Sequence, residues 1–426
     1  MATSNSTQSK LITEKDTFIS YYYKMTEFYI ITNGIPDPLP VERIVGMSIE
    51  NDFDSSLFPL FKVSVVLERS RYFNLIKNKA NIEFKLRLQR FYRKRDVQDD
   101  QSIPTDCIND VFIMYNDENN PDIQRPTLQA GTNGKIETDI NELEKLENIV
   151  DLFLFSKKTA VFQREFSTVY QNTNLSTAIT RMLQVCGASK VLMSPLENNA
   201  TYPQIIIPPM KIGKILKYFN NNYGLYKNGA QIFFGLFHSY ILNYKGEPTA
   251  YMSNEWLDTV IFVLNGRNSM GEISGCIMKT KEKINYYVAN NSAVEDMDNN
   301  QTENAIDGVN PTLISPTGGG GGANVAGKTM REATNKVIFN RTSNPYLTGA
   351  LAAQQFGDGN TLSVALENVN IENFNPNKRF SFVFEDPVLN TRYHGKYKIS
   401  SAHYIFNKDG DSASLSALFV FKKAYV

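Results

Sequence analysis

The sequence predicts a mainly β protein of the α+β class, and three features support this. The chain contains 27 Phe and 22 Tyr among 426 residues, and aromatic side chains pack well on the pleated surface of a sheet. Residues 82–89 alternate strictly between apolar and polar, which is the period of a strand with one buried face. Short apolar runs separated by Gly, Pro, Asn and Asp recur along the chain.

Composition excludes several classes of protein. Lys and Arg together number 44, as do Asp and Glu, so the chain has no net charge that would favour a nucleic-acid coat. Cys107, Cys186 and Cys276 lie far apart, so neither a disulfide framework nor a zinc site is expected. We also expect no secretory leader and no membrane span, because no run approaches the roughly 18 apolar residues that a spanning helix needs.

The first 165 residues are expected to form strands at 28–31, 43–49, 60–67, 82–91, 111–115 and 149–155. Turn residues at 33–38 and 116–121 separate some of them, and the acidic, Leu-spaced residues 139–146 indicate a short helix. This spacing is typical of a barrel or a sandwich.

Residues 166–258 change from strand to helix period. The first apolar stripe follows Asn174 as N-cap, ends at Gly187, and consists of Leu175, Ala178, Ile179, Met182, Leu183 and Cys186. The second ends at Gly224 and consists of Ile212, Ile215, Leu216, Phe219 and Tyr223. Asn228-Gly229 then predicts a tight hairpin between residues 225–226 and 232–236. Neither stripe carries Asp, Glu, His, Lys or Arg, so we expect a structural core here rather than a ligand pocket.

Residues 259–426 again indicate strands, at 259–264, 283–288, 362–366, 379–384, 396–400, 403–406 and 414–421. Asp409-Gly410 marks the last hairpin. Residues 290–324 are rich in Asn, Asp, Gly and Pro and include five consecutive glycines, which predicts a flexible insertion.

A literal phosphate-binding loop pattern, GANVAGKT, begins at Gly322 and ends at Thr329. Such a loop needs a buried strand before it, and the preceding glycine run cannot supply one, so a linker is favoured over nucleotide binding. The three histidines, His238, His394 and His403, match no catalytic or zinc pattern. Residues 407–411 lack the acidic residue that would close a calcium loop and are expected to form a turn. No catalytic residue, metal site or cofactor is therefore predicted.

A basic segment is the one candidate contact site. It comprises Lys85, Arg87, Arg90, Arg93 and Arg95, with Lys94 between the last two. The acidic residues of 96–100 follow directly, so a solvated strand end is the simpler interpretation. The alternative is a contact with a partner subunit or with DNA that passes nearby.

Residues 208–243, PPMKIGKILKYFNNNYGLYKNGAQIFFGLFHSYILN, resemble the baseplate hub proteins of contractile phage tails. The stretch is a helix, a Tyr-Gly-x-Tyr element and a strand of large apolar residues. Residues 169–175 and 384–422 are similar to the same family, which is related to the N-terminal part of type VI secretion spike proteins.

The resemblance implies two tail-tube-like β-barrels, at 1–165 and 259–426, joined by the helix-containing part at 166–258. It implies a structural role without enzymatic activity: a homotrimer whose six barrels form a pseudo-hexameric ring between the tail tube and the central spike. The expected partners are a tail tube or distal tube protein, the spike and other baseplate subunits, with DNA passing through the lumen. The expected location is the virion baseplate, assembled in the host cytoplasm. The alternatives are an NTPase, a carbohydrate-active β protein, or a receptor-binding or fibre-attachment protein.

Overall fold

The computed structural model describes residues 17–54, 56–78, 81–94, 104–114, 147–248, 256–264, 276–279, 283–297, 344, 346 and 360–425. It confirms the predicted mainly β fold. The strands are β1 (Thr17–Thr32), β2 (Ile35–Pro38), β3 (Ile44–Asp52), β4 (Leu60–Glu68), β5 (Ile82–Lys94), β6 (Thr105–Met114), β7 (Glu147–Ser156), β8 (Glu165–Asn174), β9 (Val191–Met193), β10 (Thr201–Lys211), β11 (Ala230–Phe234), β12 (Ser239–Asn243), β13 (Asp258–Leu264), β14 (Cys276–Lys279), β15 (Ile284–Asn290), β16 (Val294–Asp296), β17 (Thr361–Leu366), β18 (Arg379–Phe384), β19 (Lys396–Asp409) and β20 (Ser412–Tyr425). The helices are α1 (Arg69–Lys77), α2 (Leu175–Val185), α3 (Ile212–Asn222) and α4 (Pro387–Arg392), with short 3-10 turns at Val41–Arg43, Thr159–Gln163, Asn291–Ala293 and Ile371–Asn373.

Eight strands close into an antiparallel barrel in the order β3-β4-β7-β6-β5-β1-β20-β19, and β19 pairs back with β3. Closure removes the exposed edges that an open sheet would leave. Two of the eight strands come from the end of the chain, so residues 17–165 do not close a barrel alone. The domain limits at 165 and 258 stay a prediction.

The interior of the barrel is filled by alternate side chains of each strand. On β4, four inward residues are completely buried: Phe61, Val63, Val65 and Leu67. On β5 the predicted alternation places Phe84 and Leu86 inside, and Glu83 and Lys85 outside. This barrel is therefore a packed core.

A second group of strands continues from the long β19–β20 hairpin. On one side β18, β13, β15 and β14 follow β19, and on the other side β17 and β16 follow β20. β14 returns to the beginning of β1, where Thr17 lies opposite Met278. β13 is parallel to both β15 and β18, whereas the other pairings of this group are antiparallel. The two strand groups therefore form one connected sheet, and β1, β19 and β20 belong to both groups.

The middle part has its own core. Helices α2 and α3 bury the predicted stripes against Ile205 and Ile207 of β10 and Phe234 of β11. Asn174 accepts a hydrogen bond from the Thr177 N–H at 2.8 Å, as predicted for the N-cap of α2. β8 and β10 form a two-stranded ribbon, and β11, β12 and β9 form a small sheet.

Four sequence predictions are wrong. Gly229 has a positive φ of +88°, but residues 225–226 form no strand, and β11 pairs with β12 across Gly235 to His238 instead. Residues 33–38 are a turn only at Asn33 and Gly34, and β2 follows as an edge strand that tolerates its prolines. The predicted linker begins too early, because β16 pairs with β17. Two predicted strands within 396–406 are also one strand, β19.

The predicted helix at 139–146 and the motif at 322–329 lie outside the described residues. So does most of the predicted insertion at 290–324. Among the helices that the structure does describe, none has the length and apolarity required to cross a membrane.

Candidate assembly site at the junction of the barrel and the middle part

Lys85 and Arg87 of the basic segment lie on β5, where they point outward and are paired. Lys85 Nζ lies 3.0 Å from Glu27 Oε2. The Arg87 guanidinium donates to Glu27 Oε1 at 3.2 Å and to both carboxylate oxygens of Asp106 at 3.0 and 3.1 Å. Hydrogen bonds from Lys85 and Arg87 lower the pKa of Glu27, and those from Arg87 and Gln89 lower the pKa of Asp106. The two cations are therefore compensated within the outer wall of the barrel.

Arg90 differs from Lys85 and Arg87, because it follows the inward residues of β5 at the end of the barrel. Its side chain is 14% exposed and donates to Asn370 Oδ1 and to the carboxylate of Glu372. The structure assigns Arg93 to β5, and Arg95 lies outside the described residues. Burial has the largest single effect and lowers the pKa of Arg90, but the charge and the hydrogen bond of Glu372, together with the charges of Cys107 and Tyr23, outweigh it, so the net shift is upward. Arg90 thus ties the barrel to the loop between β17 and β18.

Three tyrosine hydroxyls hold that loop in place. Tyr23 Oη donates to the Val369 carbonyl at 2.8 Å and accepts from the Ile371 N–H at 3.2 Å. The other two hydroxyls belong to Tyr287, which accepts from the N–H of Asn370 and the side chain of Asn373, and to Tyr404, which donates to the Phe374 carbonyl. Since Tyr23, Tyr287 and Tyr404 belong to β1, β15 and β19, the loop is tied to both strand groups.

We expect Tyr23→Phe to lower the free energy of unfolding by about 1–3 kcal/mol, because the substitution leaves a buried carbonyl and a buried N–H without their shared partner. Denaturant unfolding measures the loss. Tyr92→Phe is the control, since Tyr92 is exposed on β5, and it should change the stability by less than about 0.5 kcal/mol. Equal effects of the two substitutions would contradict a role of Tyr23 in holding the loop.

Asp54, which follows β3, joins the barrel to the middle part. Its carboxylate accepts from Lys422 Nζ at 2.7 Å, from Gln231 Nε2 at 3.2 Å and from the Ser400 hydroxyl. Gln231 Nε2 also donates to the Ile399 carbonyl at 3.1 Å. Since Gln231 is on β11 and Ser400 on β19, one carboxylate links the small sheet to the long hairpin.

Lys398 forms a second link at the same junction. It is 3% exposed, and its Nζ donates to the Asn243 carbonyl at 2.9 Å. Burial lowers the pKa of Lys398 to about 8, although the charges of Asp54 and Glu247 oppose the shift. Within the described part of the chain Lys398 has no ion pair, so its ammonium depends on a carbonyl dipole.

A cavity of about 350 Å³ lies where the barrel, the β17–β18 loop and the middle part meet. Aromatic rings form much of its wall, and a few polar side chains project into it. The lining includes Phe53, Phe233, Phe374, Tyr404, Asn51 and Lys378. Its position makes it part of the junction, where the rings of Phe53 and Phe233 pack edge to face with their centroids 4.7 Å apart.

The other sequence candidates have structural roles or lie apart. His403 Nε2 lies 3.7 Å from Glu50 on the outer wall. Among the described residues, no group of three or more His, Cys, Asp or Glu side chains is arranged to hold a metal.

Sequence reasoning missed the residues that form the junction. Asp54, Gln231 and Lys398 lie in separate segments, and none belongs to a motif. The Asn-rich stretch at 368–377 is the one available signal, because side-chain amides can satisfy the backbone of an irregular loop. It indicates an ordered loop but not the tyrosines that bind it.

The solved structures that are similar to this chain include prophage tail proteins. The 43 kDa tail protein of prophage MuSo2 from Shewanella oneidensis is 10% identical, covers 94% of this chain and 99% of its own, and gives a TM-score of 0.38. The tail protein from Neisseria meningitidis MC58 is 10% identical over 95% of this chain and 97% of its own, also at 0.38. The E. coli c3393 protein, a component of the type VI secretion system, is 5% identical over 96% of this chain and 74% of its own, at 0.36.

No curated protein matches the sequence. A family model described as Bacteriophage PBS1 gene 109 protein matches residues 39–424, which is most of the chain. This match confirms the relationship to phage proteins that the sequence predicted. The chain belongs to the Bacteriophage PBS1 gene 109 protein family.

Proposed function

We propose that this phage protein is a structural component of the tail and forms the baseplate hub without enzymatic activity. In this role three copies form a pseudo-hexameric ring between the six-fold tail tube and the three-fold central spike. The observation that supports the proposal is the shared β19–β20 hairpin, since one pair of long strands continues from the closed barrel into the second strand group. Two barrel-like units held in one sheet suit a chain that presents two similar faces to its neighbours.

The proposal includes the partners that such a ring requires. These are a tail tube or distal tube protein on one side, the central spike on the other, and further baseplate subunits around it. DNA passes through the lumen, and the protein resides in the virion baseplate after assembly in the host cytoplasm. The outward side chains of Lys85 and Arg87 are compensated by Glu27 and Asp106, which favours a partner subunit over DNA as their contact.

Native mass spectrometry of the purified protein tests the assembly. We expect a species of three copies of the 48.2 kDa chain, about 145 kDa, because a ring that joins six-fold to three-fold symmetry needs two barrels in each of three subunits. The trimer should persist when the concentration is lowered to the micromolar range. A stable monomer, together with the absence of the protein from tails of purified particles, would contradict the hub role.

A further inference from the structure

A polar cleft of about 400 Å³ lies on the middle part beside the junction, and we call it the amide cleft. Helix α3, the turn before β11, Asp54 and the end of the long hairpin form its walls. The residues that line it include Asn220, Asn228, Ala230, Ile232, Asp54 and Lys422. Its volume is within the roughly 300–1,000 Å³ typical of ligand sites. The Asp54 carboxylate already accepts three hydrogen bonds, so the cleft is not suited to a cation.

The cleft opens on the edge of β11. β11 pairs with β12 on one side, and on the other side the Phe234 N–H donates to the Leu57 carbonyl at 2.8 Å. Backbone groups alternate in direction along a strand, so the N–H groups of Ala230 and Ile232, two residues that line the cleft, point away from β12 as that of Phe234 does. Within the described residues, neither N–H has a backbone partner there. The edge is therefore covered at one end and open at the other.

A buried acceptor marks the same place. Asn220 is 3% exposed, and its Oδ1 has no hydrogen-bond partner among the described residues. An unsatisfied buried amide oxygen costs about 1–3 kcal/mol, and such groups are rare in native proteins. Asn220 lines the same cleft as Ala230 and Ile232, so the cleft brings main-chain donors and a side-chain acceptor together.

We propose that the amide cleft binds an extended polypeptide segment of a neighbouring virion protein, which adds to β11 as a further strand. The main chain of such a segment offers carbonyls to Ala230 and Ile232 and an N–H to Asn220, the pattern by which sheet edges capture peptides. The proposal rests on the proposed function, because it places the partner in the same particle.

Hydrogen exchange followed by mass spectrometry tests the proposal without knowledge of the partner. Exchange is compared between the isolated full chain and the chain within purified particles. We expect amides in residues 229–233 to exchange roughly tenfold or more slowly in the particle, while those of α2 keep their rate. Equal exchange of residues 229–233 in both samples overturns the inference alone. Absence of the protein from purified particles overturns both this inference and the proposed function.

Substitution of Asn220 supplies a second measurement. Asn220→Leu removes the unsatisfied acceptor, so the isolated chain should be at least as stable as the wild type, yet its incorporation into particles should fall by roughly tenfold. Asn222→Leu is the matched control on the exposed face of α3 and should be incorporated normally. A folded Asn220→Leu chain that is incorporated like the control overturns the proposal. If that chain fails to fold, the exchange comparison decides.

Discussion

Phe219→Ala is expected to lower the free energy of unfolding by about 3–5 kcal/mol, as the truncation of a fully buried aromatic ring does. Phe219 has no exposed surface and packs in the core of the middle part. Its ring centroid lies 6.0 Å from that of Tyr223, at the end of α3. The loss includes the transfer energy of the ring and the cavity that it leaves. Denaturant unfolding of the isolated protein measures it.

Lys214→Ala is the control for this substitution. Lys214 is exposed on the same helix, and its replacement should change the stability by less than about 0.5 kcal/mol. Since the middle part meets the barrel at the junction, Phe219→Ala should also reduce assembly of the proposed trimer. A Phe219→Ala protein with the stability of Lys214→Ala would contradict the burial of this helix face and its structural role.

Elements that depend on local pattern could be predicted from the sequence. The alternation at residues 82–89 predicts which side chains of β5 fill the barrel, and the structure confirms it for Phe84, Leu86 and Leu88. The two apolar stripes with Asn174 and Gly224 predict the helices α2 and α3 almost to the residue. In each case the spacing of the apolar residues along the strand or helix matches the face that this element buries.

Predictions fail where contacts between residues far apart in the sequence determine the local structure. Asn228-Gly229 has the local chemistry of a hairpin turn, but Tyr226 Oη donates to the Ser194 carbonyl at 2.8 Å, and the Leu225 carbonyl accepts from the Asn198 N–H. These contacts hold residues 225–226 away from a strand conformation, so β11 pairs with β12. Tertiary hydrogen bonds have here overridden a local preference.

The same reason explains why the junction could not be predicted. Arg90 and Glu372 are 282 residues apart, and Asp54 and Lys422 are 368 residues apart. Neither pair has a spacing that a local motif could reveal. The positive charge of residues 85–95 suggests that Arg90 is an exposed cation. The alternation of inward side chains on β5 instead places Arg90 at the end of the barrel. The strand alternation therefore predicts the position of Arg90 better than its charge does.

Lys398 gives the largest expected pH effect. Its pKa is lowered by burial to about 8 from an ordinary 10.5. Between these two values the unfolded chain binds more protons than the folded protein, so this group makes the free energy of unfolding rise with pH. Below about pH 8 the folded protein carries the cost of a buried ammonium, about 3 kcal/mol in the limit.

Lys398→Met removes the ammonium and keeps an unbranched side chain of similar length. The substitution also removes the hydrogen bond to the Asn243 carbonyl, so its effect at any single pH combines a gain and a loss. The pH dependence of the difference in unfolding free energy between the two proteins isolates the titration of Lys398. The lost hydrogen bond does not depend on the protonation of other groups. Asp54 and Glu247 are the carboxylates whose charges act on Lys398.

We expect the free energy of unfolding of the wild type to rise relative to that of Lys398→Met by about 2–3 kcal/mol between pH 7 and pH 10. Urea unfolding of both proteins across this range measures the difference, and titrations that they share cancel. Lys396→Met is the control, because Lys396 is exposed on the same strand, and its difference from the wild type should stay constant. Parallel profiles for Lys398→Met and the wild type would mean that the ammonium is solvated, and that the link between β19 and Asn243 opens to water.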